Sequence, residues 1–114
     1  MAKVEIDENL KNEILKKFKQ ESRTIFRMMQ SLAENPHKGK TLGTVGSIVI
    51  KEIKYRAFRF YFITDGFILR VMDQAKLNDL LIRFVRMSDK KDQQKTIDEI
   101  KNVLLRLGSQ GFNR

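Results

Sequence analysis

The chain has 114 residues, a net charge of +9 at pH 7 and a hydrophobic fraction of 41%. This length and fraction predict one globular domain over residues 1–114 and exclude a disordered chain, while the absence of cysteine excludes a disulfide framework or a thiolate zinc site. The charge favours a polyanionic or acidic partner. Because no apolar run is long enough to span a bilayer and no signal peptide is visible, we expect a cytoplasmic protein. We expect it to bind no membrane, metal or cofactor.

The N-terminal third predicts a short strand and two helices. Residues 4–6 alternate polar and apolar side chains, as an edge strand does, and Asp7 is a suitable helix N-cap. Apolar residues then recur at helical spacing over residues 8–18 and 22–34. We predict a helical hairpin, with one long kinked helix as the alternative. We interpret its methionines, including Met28, as core filling rather than a cofactor pocket.

A glycine-rich segment follows the helices. Asn35-Pro36 ends the second helix, and residues 37–46 read as a loop with three glycines. Gly39-Lys40-Thr41 is part of a phosphate-loop pattern, but the preceding glycine, strand and following helix of that motif are missing. His37, the single histidine, reads as a solvated loop residue.

The most informative stretch is residues 55–73, which alternates with period two after a first core strand at 47–53. Asp65-Gly66 lies in its middle and favours a type I′ hairpin turn. We therefore predict a hairpin with a phenylalanine face toward the core and an exposed face of arginine and tyrosine. The expected cross-strand pairs include Thr64 with Phe67, Phe60 with Val71, Arg59 with Met72 and Tyr61 with Arg70.

The C-terminal part completes the predicted sheet. Residues 74–79 read as a turn, 80–87 as a fourth strand, and an apolar stripe up to Leu107 as a helix that ends at Gly108. We expect residues 1–3 and 109–114 to be mobile. The fold class is α+β: an N-terminal helical hairpin packs on a mainly antiparallel four-stranded sheet, and a C-terminal helix follows.

This order of motifs resembles the RelE/ParE superfamily of toxins from type II toxin–antitoxin systems. The resemblance covers about residues 5–107. The segments that carry it are Leu32-Ala33-Glu34-Asn35-Pro36, Gly39-Lys40-Thr41-Leu42-Gly43, Tyr55-Arg56-Ala57-Phe58-Arg59-Phe60-Tyr61, Asp65-Gly66 and Phe84-Val85-Arg86-Met87.

The resemblance implies a metal-independent endoribonuclease that cleaves mRNA at the ribosome by attack of a ribose 2′-OH on the adjacent phosphate. Such chemistry needs cations around one phosphate and a group that handles a proton. Arg59 and Arg86 match the family's basic residues. Because no Tyr or His lies near the start of the C-terminal helix, Tyr61 is the expected substitute, with His37 and Glu52 as alternatives.

Further basic residues are expected to bind RNA. The expected partners are a cognate antitoxin of acidic character, the ribosome and its mRNA. Two other functions stay open: a ParE-like inhibitor that binds a protein such as DNA gyrase without catalysis, and a plain RNA-binding domain. The expected RNA-binding residues are Lys51, Lys54, Arg56, Arg70, Arg83 and Lys90.

Overall fold

A computed structural model describes residues 1–71 and 80–107 of the chain. The predicted α+β class is confirmed, but the sheet formed by these residues has five strands rather than the four predicted. The elements are β1 (Lys3–Ile6), α1 (Glu8–Phe18), a 3₁₀ turn (Lys19–Glu21), α2 (Ser22–Gln30), a second 3₁₀ turn (Ser31–Ala33), β2 (Lys40–Val45), β3 (Ile48–Tyr55), β4 (Phe58–Asp65), α3 (Gly66–Val71), β5 (Leu81–Asp89) and α4 (Gln93–Leu107).

The sheet is mixed, with strand order β1-β5-β4-β3-β2. The N-terminal edge strand is confirmed, and it pairs with β5 in the parallel direction. Ala2 and Lys3 are hydrogen-bonded into the fold, since their backbone N–H groups donate to the carbonyls of Ala33 and Leu80 at 3.0 and 2.8 Å. No helix within residues 1–71 and 80–107 is both long and apolar enough to cross a lipid bilayer.

The helical pair forms as predicted, and helical backbone ends before Asn35-Pro36. Asp7 is the N-cap of α1, but its side chain makes no capping hydrogen bond and instead pairs with Arg83 at 3.7 Å. Met29 is fully buried and Met28 packs at the edge of the same core. The apolar stripes of both helices thus lie against the sheet, which is where most of their stability comes from.

The predicted hairpin around Asp65-Gly66 is wrong, because Asp65 ends β4 and Gly66 begins α3. The Asp65 carboxylate accepts hydrogen bonds from the N–H groups of Phe67 and Ile68 at 2.9 and 3.2 Å, as an N-cap does. A Cβ on Gly66 would lie 2.5 Å from Val49 Cγ2, so glycine is needed here for close packing. Thr64 pairs with Ile82 of β5 and not with Phe67.

The hairpin that does form turns at Arg56-Ala57, between β3 and β4. Tyr55 faces Phe58 across this turn, and Arg56 has a φ of 55°. Such a φ is costly for a residue with a Cβ. An ion pair between Arg56 and Glu21 at 2.6 Å, and the Tyr55 ring 5.5 Å from the guanidinium carbon, hold the arginine in place.

The segment predicted as a loop contains β2, which pairs with β3 through a bulge near Gly43. A Cβ on Gly43 would lie 3.2 Å from Lys101 Cε in α4, so the glycine makes room for that side chain. A glycine-rich sequence favours a loop locally, whereas here the pairing and the helix above it determine the strand.

The phenylalanine side of the sheet faces the helical pair, as predicted. Phe60, Phe62 and Phe84 are fully buried there against α1 and α2. The helical residues of this core are Leu10, Ile14, Ile25, Met29 and Leu32.

The expected exposed face of arginine and tyrosine is wrong, because α4 covers that side of the sheet. Tyr61 is fully buried, and Ile63 beside it is 6% exposed. Together with Ile48 and Ile50 they form a second core against α4. The helix contributes Ile97, Ile100 and Leu104.

Candidate functional site

Beside the second core, near the start of α4, four polar residues of the sheet and one of the helix form a group that we call the polar cluster: Glu52, Arg59, Tyr61, Ser88 and Gln93. The strand register brings them together. Glu52 lies opposite Tyr61 across β3 and β4, and Arg59 lies opposite Ser88 across β4 and β5. Residues directly opposite each other share a face of an antiparallel sheet. Gln93 is the first residue of α4 and reaches the cluster from above.

Glu52 and Arg59 form an ion pair that is almost completely removed from solvent. Arg59 Nε lies 3.5 Å from Glu52 Oε2, and the two side chains are 11% and 1% exposed. The second Glu52 oxygen accepts a hydrogen bond from Gln93 Nε2 at 2.8 Å. Glu52 Oε2 and Arg59 Nε make no hydrogen bond with the described residues. A buried charged atom without a hydrogen-bond partner can still form a hydrogen bond, and a ligand can supply the partner.

Tyr61 and Ser88 form the hydrogen-bonded part of the polar cluster. The two hydroxyl oxygens are 2.7 Å apart. Because the Ser88 hydroxyl donates to the Asp89 carbonyl at 2.9 Å, the Tyr61 O–H is the donor to Ser88. Burial raises the pKa of the Tyr61 phenol above its ordinary 10.0, so the phenol keeps its proton at neutral pH.

Exposed cations border the polar cluster, and we call two of them, Lys54 and Arg86, the basic rim. Lys54 lies opposite Arg59, and Arg86 lies opposite Tyr61 at a bulge in the pairing of β4 and β5. Arg86 Nη1 donates to the Val85 carbonyl at 2.9 Å. Lys54, Arg59 and Arg86 therefore lie on one face of three adjacent strands, which are about 5 Å apart. Arg86 is two positions along from the residue opposite Arg59.

The other residues predicted to bind RNA do not join this site. Lys51 lies on the opposite face, 3% exposed, where its Nζ donates to the His37 carbonyl at 2.9 Å. Arg56 lies in the hairpin turn, and Arg83 pairs with Asp7. The remaining two are Arg70, which lies in α3 with its side chain outside the described part, and Lys90, which is exposed just after β5.

The three alternatives for a proton-handling group are separated by the fold. Glu52 and Tyr61 belong to the polar cluster. His37 does not, because its Nε2 lies 2.9 Å from the Leu69 carbonyl on the side of the sheet that faces α1 and α2. Within residues 1–71 and 80–107, no group of three or more His, Asp or Glu side chains is arranged to hold a metal ion.

Comparisons with family models, curated proteins and solved structures gave no match. The resemblance to RelE/ParE toxins therefore stays a prediction from the motifs.

Sequence reasoning did not identify Ser88 and Gln93 as members of the site. Ser88 lies inside β5, beyond the end of the strand predicted over residues 80–87. The Asp89 carboxylate accepts a hydrogen bond from the Asp92 N–H at 2.9 Å, just before α4. Cross-strand register was the missing information, because it decides which residue of β5 lies opposite Arg59.

Proposed function

We propose that this chain is a toxin of the RelE/ParE kind that binds single-stranded mRNA at the ribosome and cleaves it. The supporting observation is the position of Lys54, Arg59 and Arg86 on one sheet face, around a carboxylate and a protonated phenol. Cations placed in advance stabilise the charge that develops on a reacting phosphate. The Glu52 carboxylate and the Tyr61 phenol are the proton acceptor and the proton donor that general acid–base chemistry requires.

In the proposed reaction, the basic rim binds the RNA backbone and Arg59 turns from Glu52 to the scissile phosphate. The freed Glu52 carboxylate accepts the proton of the ribose 2′-OH, whose oxygen forms a bond to phosphorus. The bond from phosphorus to the 5′-oxygen breaks, and the Tyr61 hydroxyl turns from Ser88 and supplies a proton to that leaving oxygen. A proton then passes from Glu52 to Tyr61, which returns both groups to their starting state. The products are a 2′,3′-cyclic phosphate and a free 5′-hydroxyl, and no outside reactant is needed.

Gln93 has a positioning role in this proposal. Its amide holds one Glu52 oxygen, which leaves the other oxygen directed toward Arg59. Because Gln93 is the first residue of α4, the helix that covers the second core also sets the orientation of the carboxylate.

The expected antitoxin would be an acidic protein that covers the basic rim. Lys54 and Arg86 are exposed, so carboxylates of a partner can reach them without rearrangement of the sheet. A partner bound there would also block RNA from Arg59. Toxicity of the chain alone, relieved when a short acidic partner is expressed with it, is the expected result.

Binding without cleavage is the second candidate function, and the Glu52–Arg59 ion pair is the observation that favours it. A carboxylate 3.5 Å from the guanidinium competes with phosphate for the same cation. A protein that keeps this pair closed would use only the exposed Lys54 and Arg86. RNA or an acidic protein surface would then be bound and left intact.

The test uses purified chain with single-stranded RNA and with translating ribosomes, in parallel with growth of cells that express each variant. Glu52→Gln keeps the shape of the side chain but removes the proton acceptor and the carboxylate that competes with phosphate for Arg59. We therefore expect tighter RNA binding than in the wild type and cleavage slower by at least about a hundredfold. Arg59→Gln should abolish cleavage and growth arrest. Arg23→Gln, an exposed change in α2, is the matched control.

The outcomes separate the two candidate functions. RNA binding without cleavage by the wild type, and equal binding by Glu52→Gln, would support the second candidate and remove the first. Neither growth arrest nor RNA binding would remove both.

A further inference from the structure

A cavity of about 370 Å³ lies next to the polar cluster, at the edge of the sheet where β2 begins. Lys38, Lys40 and Lys54 line it together with Met28 and Ile53. The three lysines are exposed, whereas Ile53 is 7% exposed and Met28 is half-buried. The cavity therefore combines a cationic border with an apolar wall.

The cavity and the polar cluster share residues. Glu52 and Lys54 line the cavity and also belong to the cluster and its basic rim. Lys40 lies opposite Glu52 across β2 and β3, which puts it on the same face as the cluster. The apolar wall of Met28 and Ile53 belongs to the side of the sheet that faces α1 and α2. A ligand on the basic rim therefore reaches this cavity around the edge of β3, beyond the end of its pairing with β2.

The loop beside the cavity is held in place by close packing. Gly39 has a φ of 105°, and a Cβ there would lie 3.0 Å from the Glu52 carbonyl oxygen and from Phe62 Cζ. Glycine is therefore required both by conformation and by space. A cavity formed by such tightly packed backbone exists before a ligand arrives, which lowers the entropy cost of binding.

We propose, on the basis of the RNA-binding function above, that this cavity holds one nucleotide of the RNA next to the phosphate at Arg59. Its volume lies at the lower end of the range of small-molecule sites, about 300 to 1,000 Å³, which suits a single nucleotide. The flat apolar faces of a base match Met28 and Ile53, and the phosphate matches the lysines. The cavity thereby makes RNA with an unpaired nucleotide beside the scissile bond the preferred substrate.

The test measures binding of adenosine 5′-monophosphate and of inorganic phosphate to the full chain by NMR titration at low salt. We expect saturable binding of the nucleotide and weaker binding of phosphate alone. Lys38→Gln with Lys40→Gln should weaken nucleotide binding about tenfold, because two cation–phosphate contacts are removed. The control Lys11→Gln with Lys95→Gln removes the same charge from exposed positions of α1 and α4, and it should leave binding within about twofold of the wild type.

A second variant tests the apolar wall. Met28→Gln is expected to weaken nucleotide binding while phosphate binding stays the same. A circular dichroism spectrum equal to that of the wild type shows that this half-buried change leaves the fold intact.

Equal affinity for nucleotide and phosphate would overturn the base-binding part of the proposal. Equal loss in the two lysine pairs would overturn the site itself. Cleavage and nucleotide binding are separate readouts: nucleotide bound in the cavity without RNA cleavage would leave the proposal standing and remove the ribonuclease. RNA cleavage together with unaltered nucleotide binding in the Lys38→Gln, Lys40→Gln variant would support the ribonuclease and overturn the nucleotide site.

Discussion

The two faces of the sheet differ in how their covering helices meet them. The face toward α1 and α2 is packed by phenylalanine and aliphatic residues, and the rings of Phe18 and Phe58 continue this packing toward the hairpin turn at a centroid distance of 5.3 Å. The face toward α4 has a smaller apolar core, and near the first residue of α4 the packing changes to the polar cluster. Where the apolar cover ends, the nearly buried Glu52 and Arg59 lie close together, and the exposed Lys54 and Arg86 lie beside them.

Within the described residues, each face holds a cation with little exposure to solvent, and the surroundings of these two cations, Lys51 and Arg59, differ. Lys51 makes a hydrogen bond to a backbone carbonyl, and burial lowers its pKa from the ordinary 10.5. Arg59 has a carboxylate beside it and exposed cations on both neighbouring strands. We infer that Lys51 has a role in packing, whereas Arg59 belongs to a site that exchanges one anion for another.

The largest expected effect is the loss of a ring from the phenylalanine face. Phe60→Ala should lower the free energy of unfolding by about 4 kcal/mol, because a fully buried ring is replaced by a cavity. Leu104→Ala in the smaller core should cost about 2 to 3 kcal/mol. Urea unfolding followed by circular dichroism measures both. A larger cost for Leu104→Ala would contradict the difference between the faces.

The next effect concerns the buried ion pair. Arg59→Gln should destabilise the protein by about 3 kcal/mol, because Glu52 is left buried without its counter-charge. Adding Glu52→Gln should recover most of this loss, as a double-mutant cycle measured by urea unfolding would show. Arg83→Gln, which removes a half-exposed partner of Asp7, is the control and should cost less than about 1 kcal/mol.

A smaller effect is expected at Tyr61. Tyr61→Phe should cost about 1 kcal/mol, since it removes the hydrogen bond to Ser88 and leaves the ring in place. The raised pKa makes the folded state hold its phenol proton above pH 10.0, so wild-type stability falls as pH rises beyond that value. The free energy of unfolding of Tyr61→Phe should therefore fall less than that of the wild type between about pH 9 and about 11. An unchanged profile would contradict the buried phenol.

An effect of similar size to that of Tyr61→Phe, but of opposite sign, is expected at Lys51. The pKa of Lys51 in the folded protein lies below 10.5, so the unfolded chain binds more protons as pH approaches that value. The free energy of unfolding of the wild type therefore increases with pH in this range. Lys51→Met should raise the free energy of unfolding by about 1 kcal/mol at pH 7 and remove this increase with pH. Thermal unfolding at pH 7 and at about pH 10 checks both. Destabilisation at pH 7 would show that the hydrogen bond to His37 outweighs the burial of charge.

Most of the elements could be predicted from residue patterns, because helical spacing and strand alternation are local. The error at Asp65-Gly66 has a specific cause: the same dipeptide suits a hairpin turn and a helix start, and the close approach of Val49 to Gly66 is a tertiary contact. The true turn at Arg56-Ala57 contains no glycine or asparagine, and contacts with Glu21 and Tyr55 support its left-handed arginine.

The candidate site was predictable only in part, for a similar reason. Alternation along β4 puts Arg59 and Tyr61 on the face opposite the phenylalanines, as predicted. Whether that face is open depends on α4, which packs through Ile97 and Ile100 onto residues far away in the chain. Local patterns therefore give the face of a side chain, and tertiary packing gives its burial.

The most direct test of the central claim is the salt dependence of binding to single-stranded RNA. Fluorescence anisotropy gives the slope of log affinity against log salt for the wild type, for Lys54→Gln with Arg86→Gln, and for the control Lys11→Gln with Arg23→Gln. The basic rim predicts that its variant loses about 1.4 from the magnitude of the slope, since each phosphate contact on single-stranded RNA contributes about 0.7. The control should keep the wild-type slope. An equal loss in both pairs would show that RNA is bound by overall charge and that the basic rim is not its site.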